Sequence, residues 1–213
     1  MALQLRRIKP SNSFLLANEA RLANASAKYP FQNWRFFQVI LPATQKHFLT
    51  PTLFGTKIPT KTLYCLMTLE QDRGAYARNS LVFQPYGLKR FTQLIDGLPA
   101  PLPTQEFDFA NDDYAVAYRN LMDNLGILGQ NRSNFVTYEA FKRNRFFLCY
   151  ANSAAGVCAS SVYREKESTG DLTVQLEFED ALTSNMVLQC YGIFDDYYEI
   201  DKDRMVTINS TRE

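Results

Sequence analysis

Histidine and tryptophan each occur once in this 213-residue chain, as His47 and Trp34. A single histidine excludes any multi-histidine metal centre, and a Ser-His-Asp or Cys-His arrangement would have to use His47 alone. The setting Lys46-His47-Phe48 reads as a surface strand end or loop. No apolar run approaches the roughly 20 residues of a membrane-spanning helix. The nine glycines (Gly55, Gly74, Gly87, Gly97, Gly126, Gly129, Gly156, Gly170 and Gly192) are scattered as turns or strand irregularities and form no phosphate-binding loop. Long basic runs are missing too. A net charge of +1 is too balanced for a nucleic-acid footprint over the whole surface, so no sequence-specific nucleic-acid partner is expected.

The start, Met1 to Arg7, turns charged too early for a signal-peptide core, so an oxidising compartment is not expected. The four cysteines, Cys65, Cys149, Cys158 and Cys190, lack the close paired spacing of zinc ribbons. Cys65, Cys149 and Cys190 lie in apolar strand-like runs and read as reduced core residues. Glycosylation-type triplets at Asn24, Asn131 and Asn209 read as chance matches. Asp108, Asp112 and Asp113 read as capping groups around a helix start. Asp195, Asp196, Glu199, Asp201 and Asp203 do not follow calcium-loop spacing and read as a solvated turn or a charged interface strip. Lys142, Arg143 and Arg145 stand beside Phe141, Phe146 and Phe147. Such interleaving can bind single strands, but a charged loop entering a hydrophobic strand is the simpler account. No catalytic, cofactor-binding or metal-binding residue is therefore expected, and no cofactor.

What the chain does hold is apolar surface arranged with a period of two. Leu172, Val174, Leu176 and Phe178 fall on one side of a strand, and Thr173, Gln175, Glu177 and Glu179 on the other. Similar runs cover Leu3 to Ile8, Trp34 to Leu41, Lys61 to Leu69, Phe91 to Ile95, Phe146 to Tyr150 and Met186 to Phe194. Tyr197 to Ile200 extends the last of these or starts another. In the run 61–69, Leu63, Cys65, Met67 and Leu69 share one face, with Tyr64 and Leu66 on the other, so both faces are expected to be covered. Gln71 to Gly74 and Asp96-Gly97 read as turns. Pro99, Pro101 and Pro103 keep their stretch out of a sheet centre.

Two helices are predicted. One runs from Phe14 to about Ala25, capped by Ser13, with Leu15, Leu16, Leu22 and Ala23 inward and Pro30 forbidding its continuation. The other covers 110–125, with Asn111 as N-cap, Tyr114, Tyr118, Leu121 and Leu125 on one face, and Gly126 as the stop. Such a helix in a β protein covers a sheet edge or packs beside a neighbour. The segments Gly129 to Asn134 and Ala151 to Gly170 read as loops. There is no internal repeat.

These elements predict an all-β chain: an antiparallel β-sandwich of about eight strands in one domain, residues 1–213, with 1–30 as a lead-in strand and helix. The 12 Tyr and 16 Phe exceed what one core easily conceals, so exposed aromatics are expected at an interface. Trp34, Phe36, Tyr114 and Tyr118 are singled out as contact or core residues.

The order of segments resembles the C-terminal jelly roll of hexon-like, double-jelly-roll major capsid proteins of Maverick/Polinton elements and adintoviruses. The matching pieces are Phe14-Leu15-Leu16-Ala17 with Ala27-Lys28-Tyr29-Pro30, then Ile58-Pro59 before a hydrophobic strand. Gly74-Ala75-Tyr76-Ala77-Arg78-Asn79 follows, with Phe83, Tyr86 and Leu88, then Asp96-Gly97-Leu98-Pro99 and the helix through Tyr114 to Leu121. Leu172 to Phe178 and Tyr197 to Arg204 close the series. The resemblance implies a jelly-roll sandwich and a non-enzymatic virion protein that self-assembles into an icosahedral shell. The implied partners are other capsid subunits, as a homotrimer or with a separate or missing N-terminal jelly roll, and penton or minor capsid proteins. The implied location is the virion, with the host cytoplasm or nucleus before assembly. The resembled proteins carry a preceding jelly roll, which is not expected here, so the chain reads as a fragment, one product of a split gene or a single-jelly-roll relative; the segment around Arg145 also departs from their pattern. The competing reading from the fold alone is a β-sandwich module that binds glycan or peptide through its loops.

Overall fold

Leu172, Val174, Leu176 and Phe178 are completely shielded from solvent, and Gln175 between them is exposed. The alternation in the sequence is thus the division between core and surface. The computed structural model describes residues 8–76, 79–129, 131, 134–152 and 168–209. In chain order the elements begin with α1 (Asn12–Asn24), β1 (Ala27–Leu41), β2 (His47–Leu49), β3 (Lys57–Ile58), β4 (Lys61–Thr68) and α2 (Leu69–Asp72). Next come β5 (Leu88–Ile95), β6 (Leu98–Pro99), β7 (Gln105–Glu106), α3 (Ala115–Asn124), α4 (Tyr138–Arg143) and β8 (Leu148–Ala151). The chain closes with β9 (Ser168–Thr169), β10 (Leu172–Phe178), β11 (Met186–Ile200) and β12 (Val206–Asn209). They form two compact units, one of Trp34–Phe194 and the other of the residues up to Asn33 with those from Asp195 onward.

In the larger unit the strands form two sheets, β1-β11-β4-β8 and β2-β10-β5-β6, with β7 also on β5. The pairings are nested. β1 lies beside β11, β2 beside β10, β4 beside β8, and β5 beside β6 and β7. Such nesting across two sheets is the jelly-roll topology. The two four-strand paths hold eight strands, the number expected, but β2 and β6 fall outside the predicted runs, and β3, β7, β9 and β12 are short additions. The prolines explain the split between β6 and β7, since a residue without an N–H survives only at a sheet margin. Asp96 and Gly97 both adopt positive φ, 51° and 78°, and form the two-residue turn that joins β5 to β6.

Register decides which side chains meet inside. Val187 pairs with Met67, Gln189 with Cys65 and Tyr191 with Leu63, which puts these six on one face of the first sheet. Leu188, Cys190, Tyr64 and Leu66 belong to the opposite face and to the core. Both faces of β4 are largely buried, as the run 61–69 predicts. A register shift at Glu177/Phe178 pairs Phe178 with Leu88, so Leu88 faces the core and Lys89 does not.

Several boundaries differ from the sequence reading. The turn at 71–74 is preceded by a one-turn helix, α2, closed by a capping box between Thr68 and Gln71. The second predicted helix starts at Ala115, not 110. Asp112 takes a positive φ of 58°, which no helix start tolerates, and Tyr114 rather than Asn111 is the N-cap position. Asp108 instead accepts hydrogen bonds from the backbone of Ala110 and Asn111 and the Asn111 side chain. Tyr114 and Leu121 are buried and Tyr118 half-buried, but Leu125 is exposed. Lys142 and Arg143, read as part of a charged loop, end a six-residue helix, α4, capped by Thr137.

In the smaller unit, α1 runs from Asn12 and is capped by Ser11, not Ser13. Only Leu22 on it is buried, whereas Leu15, Leu16 and Ala23, predicted inward, are exposed. The helix ends at Asn24, six residues before Pro30, which sits within β1. The strand predicted over Leu3 to Ile8 lies almost wholly outside the described residues, as do Cys158 and most of the loop 151–170.

Candidate functional site

Any work this chain does must use side chains left at its surface, and the two outer faces of the sandwich differ in chemistry. On the second sheet the outward row is polar. Arg90 lies between two carboxylates, 3.0 Å from Glu106 and 3.3 Å from Glu177. His47 stands 3.9 Å from the same Glu177, and Thr92 and Thr104 share a hydrogen bond of 2.9 Å. Arg90, Thr92, Thr104, Glu106, Gln175 and Glu177 line a shallow recess. Glu106 and Glu177 share the single Arg90 guanidinium between them.

The outward row of β1 in the larger unit is different. Trp34, Phe36 and Ile40 are 60%, 49% and 60% exposed. The intervening residues Phe37 and Val39 pack on the core. Arg35 also turns away from the outer row, placing its guanidinium 4.8 Å from the centre of the Phe194 ring. Phe36 lies 4.9 Å from Tyr191 of the adjoining strand. The single polar residue of the row, Gln38, donates a 2.7 Å hydrogen bond to Asp72. Asp72 also accepts from Gln189 at 3.0 Å, and Tyr191 bonds Gln189 at 3.3 Å.

Of the four aromatics singled out from sequence, Trp34 and Phe36 are therefore surface residues, while Tyr114 is buried and Tyr118 half-buried against the core. Tyr114 stacks on Tyr138 at 4.3 Å, and Tyr118 meets Tyr138 and Phe141 edge-on. Phe107, Phe109, Phe141 and Phe146 complete that cluster beneath α3 and α4. α3 packs against β8, and the Asn124 side chain donates to the Cys149 carbonyl at 2.6 Å. The helix thus packs at the β8 margin of the first sheet, one of the two roles the sequence left open.

The basic segment beside α4 offers no stacking platform in Phe141 or Phe146, whose rings are buried. Phe147 meets Phe83 at 4.9 Å, and Lys142 is ion-paired with Asp112. The acidic run is likewise divided. Asp196 is buried and accepts from Asn33 at 2.9 Å, Glu199 lies 3.1 Å from Lys28, and Asp201 accepts from the backbones of Asp203 and Met205 in the turn before β12. Among the described residues no group of three His, Cys, Asp or Glu side chains is placed to hold a metal ion. Cys65, Cys149 and Cys190 are buried, and burial pushes the Cys65 thiol up to about 12 and the Cys190 thiol upward too. Neither thiol is a nucleophile at neutral pH. Among the described residues no helix is long and apolar enough to cross a membrane.

Comparison with known proteins places the fold. No protein-family model matches the chain. An uncharacterized protein of Caenorhabditis elegans is 24% identical over 161 residues, which is 75% of this chain and 38% of that protein. A chain of the Sputnik virophage cryo-EM structure superposes with a TM-score of 0.51 at 12% identity, covering 88% of this chain and 40% of its own. VP54 of PBCV-1, as fitted into a reconstruction of Sputnik, gives 0.54 at 12% identity, covering 92% and 54%. Both structures are double-jelly-roll capsid proteins. The chain therefore has a capsid-protein-like jelly-roll fold, as the segment order suggested. It spans 40% and 54% of the length of those solved chains.

Proposed function

We propose that residues 1–213 serve as one structural subunit of a virion shell: a hexon-like capsid protein, or one jelly-roll half of it, that works by assembly and not by catalysis. The observation that carries this reading is the nested pairing of two four-stranded sheets, matched at TM-scores of 0.51 and 0.54 by double-jelly-roll capsid proteins. The exposed apolar row on β1 supports it, because interface cores favour Trp, Phe and Tyr over charged groups. Its partners are other capsid subunits, in a trimer or with a second jelly roll from elsewhere, and the penton or minor proteins of the same shell. Its place is the virion, reached from the host cytoplasm or nucleus.

Multi-angle light scattering across a concentration series tests this. Growth from monomer to discrete larger species supports a shell subunit. A stable monomer that binds one class of sugar saturably on a glycan array supports the binding-module reading instead.

A further inference from the structure

We propose that the recess between the turn after α2 and the loop before β11 is a binding site for a carboxylate, held by Arg73, Ser184 and Asn185. The site stands apart from the shell-subunit reading, and its failure would leave that reading untouched.

The space comes first. The recess measures about 530 Å3, inside the roughly 300–1,000 Å3 of small-ligand sites. Arg73, Gly74 and Ala75 line it from the turn, and Ser184 and Asn185 from the loop. A Cβ built on Gly74 would meet nothing within 4 Å, so the turn is open on that side.

The groups left to greet a ligand are donors. The backbone supplies none of them here. The N–H groups of Arg73, Gly74 and Ala75 are spent on the carbonyls of Leu69, Gln71 and Glu70 at 3.1, 3.1 and 3.3 Å. Asn185 is held from two directions. Its backbone carbonyl accepts from the Leu69 N–H at 3.0 Å, and its side-chain oxygen accepts from the Ala43 N–H at 2.8 Å. The second bond fixes which end of the amide is oxygen and leaves both N–H groups of Nδ2 to give. Among the described residues, that nitrogen, the Ser184 hydroxyl and the Arg73 guanidinium have no hydrogen-bond or ion-pair partner.

The acceptors nearby are already engaged. Thr68 and Gln71 satisfy each other in the capping box, and Glu70, the one carboxylate on the wall, has a partner of its own. Asp72 accepts from Gln38 and Gln189 and does not line the recess. An entering group therefore meets a planar guanidinium whose paired N–H groups match the two oxygens of a carboxylate, with two further donors beside it. One guanidinium balances one negative charge, and Glu70 stands on the same wall. A singly charged carboxylate is thus favoured over a phosphate. Its source is either an acidic side chain of a protein segment or a free small carboxylate.

NMR of the full, 15N-labelled chain tests the site by reading Asn185 Nδ2 and Arg73 Nε during titration. The probes are the peptide acetyl-Gly-Glu-Gly-amide, its Gln counterpart, glutarate and inorganic phosphate. The expected result is saturable shifts at both nitrogens with a carboxylate probe and none with the Gln peptide. Arg73→Gln should weaken that binding by about tenfold or more. Lys89→Gln, which removes an exposed cation from the second sheet, should not change it. A response to the Glu peptide alone identifies a protein segment as the source, and a response to glutarate alone a small carboxylate; a response to both means that the carboxylate by itself is recognised. Phosphate binding as tightly as the carboxylate probes overturns the selection. The absence of saturable shifts with either carboxylate probe, or shifts that survive Arg73→Gln, overturns the site.

Discussion

Tyr64 donates a 2.7 Å hydrogen bond to the side-chain oxygen of Gln93, and the two residues lie on opposite sheets of the sandwich. Gln93 is completely buried and fully used. Its oxygen also accepts from Thr62 at 2.6 Å, and its amide nitrogen donates to the Ala100 carbonyl at 2.9 Å and to Asn152 at 2.7 Å. A polar group in an apolar core is tolerated only when satisfied in this way, and here it ties β4, β5 and the proline-rich return together.

Gln93→Leu conserves volume but strands Tyr64, Thr62 and Asn152 without their partner. The expected loss is about 2–4 kcal/mol of unfolding free energy, measured by urea denaturation. A loss under about 0.5 kcal/mol, the range of ordinary surface changes, would mean that the network contributes no cross-sheet specificity.

Gly192 sits where packing leaves little room for a side chain. A Cβ there would sit 3.0 Å from Cζ of Phe54 and 3.1 Å from Cε2 of Phe194, two buried rings packed edge to face at 5.9 Å. Gly192→Ala should cost about 1 kcal/mol and Gly192→Val about 2–3 kcal/mol, through forced ring displacement. Thermal unfolding of the pair should rank Val below Ala below wild type.

Gln71 acts locally. Its side-chain oxygen accepts from the Thr68 backbone and from the Tyr86 hydroxyl at 2.9 Å, and its amide nitrogen reaches the Asn79 carbonyl at 3.3 Å. Gln71→Ala should remove about 1–2 kcal/mol and raise hydrogen exchange around 79–86 while leaving β10 protected. Uniform acceleration across both regions would contradict a local role.

Cys65 and Cys190 should resist alkylation in the native protein at pH 8 and react fully in denaturant, as mapped by mass spectrometry. Burial holds the Cys65 thiol at about 12 and Cys190 above its ordinary value, so neither supplies thiolate. Because the raised value keeps both thiols neutral when folded, the unfolded chain loses more protons as pH climbs past the ordinary thiol range. Native stability from these two groups is accordingly retained at neutral pH and declines at alkaline pH.

The sandwich was legible where alternation met burial. Leu172 to Phe178 and Met186 to Phe194 are strands because one row of side chains has only the core to go to. Strand β1 starts at Ala27, seven residues before the predicted Trp34, and as an edge strand it can hold Pro30. Helix α4 escaped notice because it is six residues long and its basic end, Lys142-Arg143, resembles a loop. The exposed row on β1 was only half legible. Period-two spacing says that Trp34, Phe36 and Ile40 share a face, but not whether a sheet covers it. Leu15 and Leu16 failed for the same reason: apolar spacing predicted a buried side where the unit provides cover only for Leu22.

Negative-stain electron microscopy of the purified chain, at concentrations where scattering detects growth, puts the proposed role to its most direct test. Regular closed particles or uniform rings of jelly-roll subunits are the predicted image. Fields of isolated monomers at every concentration, unchanged when a double-jelly-roll partner chain is added, would contradict it.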